Sequence, residues 1–451
     1  MTFFDSLLIF ILVVALYALL VIVLHKKGFL TKFGVSLYGP ALLLRTKKGR
    51  GFLHRIASRK RFWKAFGSFG VVFCFIVMIF ITAVLIWQAW TILGFTPSEK
   101  AALPGPEFAL ILPGINPILP LNYLLYIIIA LVVAIVVHEF SHGILTFAGN
   151  LNVKSLGILY LIIPVGAFCE PDEDQLRTTR RPIRMRVYAA GPLSNFTVAL
   201  VCLLLFSFVF MASVTPAAGA EVLYIGADTP ADHAGLQPGN VITSINHTKI
   251  EDVLDFYYVL QNTSANQTVE LTYQARGVTH TINVTLADKS TYSGNLSQKG
   301  EGYLGVGPNI YGGYLTALKD PFQYIPDNFL LLYSLPIFGY FQGYNPITSP
   351  FTDAYHINGI LGILPAPLFW GLVNTIYWIF WLNLAVGLFN VLPMVPLDGG
   401  FLFNDAVGGL LHRFKKELSD ERREQAVRNI SLVISLTILF LVIFPWFIKY
   451  F

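Results

Sequence analysis

A chain of 451 residues with 55% hydrophobic side chains, 13% charged ones and a mean hydropathy of +0.62 lies outside the range of water-soluble globular proteins and inside that of polytopic membrane proteins. Its net charge of +5 comes from basic residues crowded into a few short segments, so it reports membrane topology and gives no reason to invoke a nucleic-acid partner. The three cysteines exclude a disulfide framework and a cysteine zinc site, since Cys74 and Cys202 lie inside apolar stretches and Cys169 stands alone.

Six stretches are apolar and long enough to cross a bilayer: residues 3–24, 67–92, 122–148, 187–213, 366–392 and 427–449. The first exceeds a signal-peptide core and has no small-residue cleavage site, so it reads as a retained span. Twelve Lys or Arg residues and no acidic one lie between Lys26 and Lys64, which makes that segment cytoplasmic. Alternation then puts 149–186 and 400–426 on the same side and 93–121 and 214–365 outside. The charges agree independently: Arg177, Arg180, Arg181, Arg184 and Arg186 crowd one inner segment, and Arg413, Lys415, Lys416, Arg422 and Arg423 the other. The outer segment is acid-rich and carries Asn-x-Ser/Thr sequons at Asn246, Asn262, Asn266, Asn283 and Asn295, as an extracytoplasmic domain can.

After a Pro- and Gly-rich outer loop over 93–121, the third span carries His138-Glu139-Phe140-Ser141-His142. A helix turns once per 3.6 residues, so the two histidines share a face and can hold one zinc ion with Glu139 beside it as base. Counting ~1.5 Å per residue from Asn122 sets His138 about 24 Å into a ~30 Å core, nearer the inner edge. Ionisable groups at that depth usually serve a function. Residues 153–170 are apolar and β-branched but broken by Gly157, Pro164 and Gly166, which suits a short β-hairpin with a free edge, lining the metal cavity.

Between the fourth and fifth spans, 218–310 turns to short alternating runs such as 222–225, 241–245 and 269–273, separated by turn clusters, and reads as a mostly β soluble domain with one helix over Ile250–Asn262. Residues 311–365 are aromatic and Pro-rich, suited to the outer membrane surface, with His356 as a surface residue. A catalytic zinc site takes a third protein ligand. The fifth span ends in Asn390-Val391-Leu392-Pro393-Met394-Val395-Pro396-Leu397-Asp398-Gly399-Gly400, where the prolines break the helix and the glycines permit a tight turn, so that Asp398 can fold back toward the histidines at the same membrane face.

With His-Glu-x-x-His on one span, Asn-x-x-Pro-x-x-Pro-Leu-Asp-Gly on a later one and a β domain between them, residues 122 to 405 resemble the site-2 protease family of intramembrane zinc metalloproteases. Asp228 to Ile242 is similar to the PDZ element of bacterial membrane and periplasmic proteases, with Asn240 where Asp is common. Gly191-Pro192-Leu193-Ser194-Asn195 matches a family element on the fourth span. The resemblance implies a polytopic α-helical fold with a membrane-embedded hairpin and an inserted PDZ-like domain. It implies Zn2+ held by His138, His142 and Asp398, with Glu139 as catalytic base. Asn195 and Asn390 are expected to hydrogen-bond substrate carbonyls or the oxyanion.

The implied partners are transmembrane helices of substrate proteins, the lipid bilayer of the cell membrane and a peptide or protein ligand of the PDZ-like domain. The expected division is 1–66 for the first span and basic segment and 67–121 for the second span and outer loop. It continues with 122–214 and 366–426 for the two halves of the catalytic core, 218–310 for the PDZ-like domain, 311–365 for the interfacial segment and 427–451 for the last span. The alternative from a different class is a catalytically silent scaffold that binds client helices. Retention of Glu139 argues against it.

Overall fold

The computed structural model describes residues 3–28, 35–38, 41–109, 113–161, 163–275, 277–309, 313–342, 345–349, 351–415, 417 and 419–450; Lys416, named above, and Ile162, within the expected hairpin, lie outside them. The larger elements, in chain order, are α1 (Phe3–Lys26), β1 (Val35–Tyr38), β2 (Ala41–Thr46), α2 (Arg50–Ile56), α3 (Lys60–Leu93), α4 (Leu124–Ala148), β3 (Val153–Leu161), β4 (Ile163–Pro171) and α5 (Arg181–Leu205). There follow β5 (Val214–Pro216), β6 (Ala220–Ile225), β7 (Val241–Ile245), α6 (Val253–Gln261), β8 (Thr268–Ala275), β9 (Val278–Thr285), β10 (Val306–Pro308), α7 (Asp327–Gln342) and β11 (Tyr355–Ile357). The chain ends with α8 (Ala366–Asn390), α9 (Asp398–Phe414) and α10 (Asp420–Tyr450). Among the described residues, five helical stretches are long and apolar enough to cross a membrane: Lys60–Leu93, Leu121–Ala148, Arg181–Ser213, Ala366–Asn390 and Asp420–Tyr450. They coincide with five of the six expected spans. The sixth, α1, is helical throughout, and Ala15–Lys26 is the part of it that qualifies as apolar among the described residues.

The chain forms two compact units, one of residues 1–201 with 378–451 and one of residues 202–377. In the first, α3 lies close to α4 and α5 because glycines remove the side chains that would hold them apart. A Cβ at Gly67 would stand 2.8 Å from Leu145 Cδ1, and one at Gly70 2.8 Å from Leu193 Cδ2. Arg186 Nε donates to Ser68 Oγ across the same contact (2.9 Å). The core beneath it joins Leu53 of α2, Ile144 and Leu145 of α4, Val153 and Leu156 of β3, Cys169 of β4 and Val187 and Ala190 of α5.

The expected hairpin exists, with Leu156 opposite Cys169 and Ile158 opposite Ala167, but it is half of a larger sheet. Residues of the basic segment form a second hairpin, and the strand order is β1-β2-β3-β4. The alternation over Val35–Tyr38 and Ala41–Thr46 is short and flanked by charge, which hid it in the sequence. The consequence is that β3 has neighbours on both sides, so the free edge of this pair of strands belongs to β4 alone. A second difference concerns 400–426, expected as a loop. Most of it is helix, because α9 carries apolar Phe401, Leu402, Val407, Leu410 and Leu411 on a helical spacing.

In the second unit, a sheet runs in the order β9-β8-β7-β6-β10, with the short strand Thr248–Lys249 also on β7. The three runs 222–225, 241–245 and 269–273 fall in β6, β7 and β8, and the expected helix is α6. Ile242, Ile245, Val269 and Leu271 point to one face, where Phe256 of α6 covers them. This is the alternation of a half-buried antiparallel sheet. His356 is exposed on β11, as read from the sequence.

Candidate metal centre

His138 and His142 are four residues apart on α4, which brings both imidazoles to one face of the helix. The third donor arrives from the far end of the chain. Helix α8 stops at Asn390, the next seven residues turn back on themselves, and α9 restarts at Asp398. Gly399 and Gly400 thus lie in the first turn of α9 rather than in a loop. Their lack of side chain serves close approach, since a Cβ would stand 2.2 Å from Val391 O at Gly399 and 2.6 Å from backbone atoms of Met394 and Val395 at Gly400. That compact reversal seats the Asp398 carboxylate against the imidazole pair. Its Oδ2 is 3.0 Å from His138 Nε2 and 3.2 Å from His142 Nε2.

These distances test the fit of a metal. A tetrahedral ion with ~2.0–2.1 Å bonds keeps its ligand atoms about 3.3 Å apart, close to both values. The His142 tautomer also suits: Nδ1 lies 2.8 Å from the Val187 carbonyl, which accepts its proton and leaves the Nε2 lone pair facing Asp398. His138 Nδ1 is buried with no hydrogen-bond partner among the described residues. The anionic carboxylate is the form that binds a cation. Among the described residues this trio is the one group of three or more such side chains that converges closely enough to hold an ion.

A residue that the sequence marked only as part of a motif shapes the same site. Gly191 of α5 passes so near the imidazoles that a Cβ there would stand 2.5 Å from Nε2 of both His138 and His142. Sequence alone could not assign that contact, because it depends on how α5 crosses α4.

Glu139 is half-buried beside the trio, and its Oε2 accepts a hydrogen bond from the Cys169 backbone N–H of β4 (2.8 Å). That amide therefore points away from β3, and by strand alternation so does the amide of Ala167. The free edge of β4 borders the site. A cavity of about 510 Å3 opens here, lined among others by His138, Glu139, His142, Cys169, Asn390 and Asp398. Asn390 is thus brought to the site, with its Nδ2 donating to Val386 O (3.0 Å). Asn195 is fully buried, its Oδ1 and Nδ2 have no hydrogen-bond partner among the described residues, and it is not among the residues that line the cavity.

Comparison with known proteins agrees with this geometry. The model of peptidase family M50 matches residues 126–438. An uncharacterised protein of Methanocaldococcus jannaschii is 27% identical over 402 residues, covering 88% of this chain and 83% of that one. The zinc metalloprotease RasP of Shouchella clausii is 25% identical over 288 residues, covering 62% of this chain and 63% of its own length. Among solved structures, the PDZ domain of an SdrC-like protein from Listeria monocytogenes aligns with 21% of this chain and 90% of its own at 18% identity and a TM-score of 0.18.

Proposed function

The chain belongs to peptidase family M50, and from that premise we propose that it is an intramembrane endopeptidase that cleaves the transmembrane segments of other membrane proteins. It is a zinc metalloprotease of the site-2 type. The observation that carries the finer reading is the convergence of His138, His142 and Asp398 beside Glu139, with both histidines and Glu139 on a helix apolar enough to span a bilayer.

In this reading His138 Nε2, His142 Nε2 and Asp398 Oδ2 hold the ion. Zinc bound there supplies Lewis acidity, which polarises a carbonyl and lets water attack near neutral pH. Glu139 takes the proton from the attacking water and returns one to the leaving amine; its Oε2 is held by Cys169, and Oε1 makes no hydrogen bond among the described residues. The Val187 carbonyl keeps His142 in the tautomer that presents Nε2. A substrate helix satisfies its own backbone, so it must unwind before a carbonyl is available. The outward amide of Ala167, on the free edge of β4, offers an unwound segment a strand to pair with, while that of Cys169 stays on Glu139. The Asn390 amide, at the cavity wall, is then in reach of the substrate carbonyl or oxyanion, and the unpartnered amide of Asn195 is a second contact for a chain that penetrates further.

The basic segments support an orientation in the cell membrane with the metal near the cytoplasmic face and residues 218–310 outside. There a PDZ-like module that binds peptide or protein would admit substrates already trimmed by an outer cut. Reconstitution with a helical membrane substrate tests the reading. Wild type cleaves, Glu139→Gln keeps zinc and loses at least about a hundredfold in turnover, and chelated protein loses both. Equal cleavage by Glu139→Gln refutes it.

A further inference from the structure

A second cavity, of about 590 Å3, lies behind the loop that leads into Asp398, walled by the first turns of α5 and α10 and the middle of α9. Four guanidinium groups line it, those of Arg181, Arg184, Arg423 and Arg428, against the carboxylates of Asp405 and Glu424. Two of the four are engaged. Arg184 Nε reaches both oxygens of Asp405 (3.1 and 2.9 Å), and Arg423 Nη1 pairs with Asp420 (2.6 Å). Arg181 and Arg428 have no ion pair or hydrogen bond among the described residues, and Arg181 lies along the paired glycines of α9, with Nη2 3.7 Å from the Cβ position of Gly408. With Glu424 as the remaining carboxylate on the wall, Arg181 and Arg428 leave the cavity a net excess of one positive charge, contributed by two helices. The buried Asn404 Oδ1 on its wall is an acceptor with no donor among the described residues.

The depth of the cavity identifies what would fill it. On α10 it coincides with the change from Asp420-Glu421-Arg422-Arg423-Glu424 to the apolar run that starts at Ile430, which is where a spanning helix meets the headgroup layer. Val427 and Leu432 continue the lining, and Leu432, Val433 and Leu436 are 58%, 62% and 56% exposed on the next turns, as lipid-facing side chains are. We propose that this cavity is a binding site for one anionic phospholipid, with the phosphate between Arg181 and Arg428, a headgroup hydroxyl donating to Asn404 Oδ1, and an acyl chain along Leu432 and Leu436. The site abuts the catalytic loop, because Val395 N, three residues before Asp398, donates to Ser435 Oγ (3.1 Å), and both residues line the cavity.

The proposal does not depend on the peptidase reading and is tested without substrate. Purified full-length protein, stripped of lipid in detergent, is titrated with phosphatidylglycerol, phosphatidylcholine and inorganic phosphate, and bound lipid is counted by native mass spectrometry. The expected result is one phosphatidylglycerol per chain, bound about thirtyfold more weakly by Arg181→Gln/Arg428→Gln, in line with the loss of two basic contacts. Arg428→Gln alone, at an exposed position, gives a smaller loss in the same direction and covers a folding defect in the double variant. Equal binding of phosphatidylcholine, displacement of the lipid by millimolar inorganic phosphate, or unchanged affinity in both variants overturns it.

Discussion

At the scale of single residues, the centre depends on what is missing as much as on what is present. Gly191 leaves room for both imidazoles, and a methyl group 2.5 Å from two ligand nitrogens cannot be accommodated without moving one of them. Gly191→Ala is therefore expected to lower zinc occupancy at least about tenfold, with cleavage falling in step; metal analysis beside turnover checks it. Asn390→Ala separates the roles differently. It is expected to slow turnover about ten- to a hundredfold while zinc stays at one per chain, and loss of the metal would count against a substrate contact. The convergence of the His pair with Asp398 was legible in the sequence because each belongs to a short local pattern with a chemical reason. Gly191 was not, since its role arises from the crossing of two helices.

Among elements, β4 and β6 carry the clearest consequences. The outward amide of Ala167 lies on the free edge, so Ala167→Pro removes one donor there while the β3 pairing survives. Turnover is expected to fall with zinc and thermal stability retained; unchanged turnover would dismiss strand pairing by substrate. On β6, burial pushes the Glu221 carboxyl up from 4.5 to about 7, against the hydrogen bond from Asn309 Nδ2 (2.9 Å). A carboxyl with a raised folded-state value favours folding in its neutral form. The second unit should accordingly lose stability as pH rises from about 4.5 to 7, level off above that, and lose on the order of 3 kcal/mol in all. Glu221→Gln should abolish the slope, as hydrogen-exchange protection of β6 corrected for intrinsic rate will report. The hairpin β3–β4 was readable from its Gly and Pro punctuation. Its partner β1–β2 was masked by the basic residues around it, and α9 by a reading of Gly399-Gly400 as a turn, when their close packing starts a helix.

For the whole molecule, hydropathy predicted the five helical stretches that, among the described residues, are long and apolar enough to cross a membrane, because lipid imposes long uniform helices that sequence displays directly. The sidedness proposed from the basic segments can be measured. All three native cysteines are buried, so single cysteines at the exposed positions Lys48, Arg413 and Leu296 are clean reporters in sealed vesicles. The first two should react only from the cytoplasmic side and the third only from the other; any other pattern reverses or breaks the assigned topology. The central claim is narrower: two distant segments trap one zinc ion through two imidazoles and a carboxylate. Zinc-edge X-ray absorption on the purified full-length protein tests it directly. The account predicts only nitrogen and oxygen neighbours at about 2.0–2.2 Å, two of them imidazole, and loss of bound zinc in Asp398→Ala. A sulfur neighbour near 2.3 Å, or an unchanged spectrum in Asp398→Ala, would contradict it.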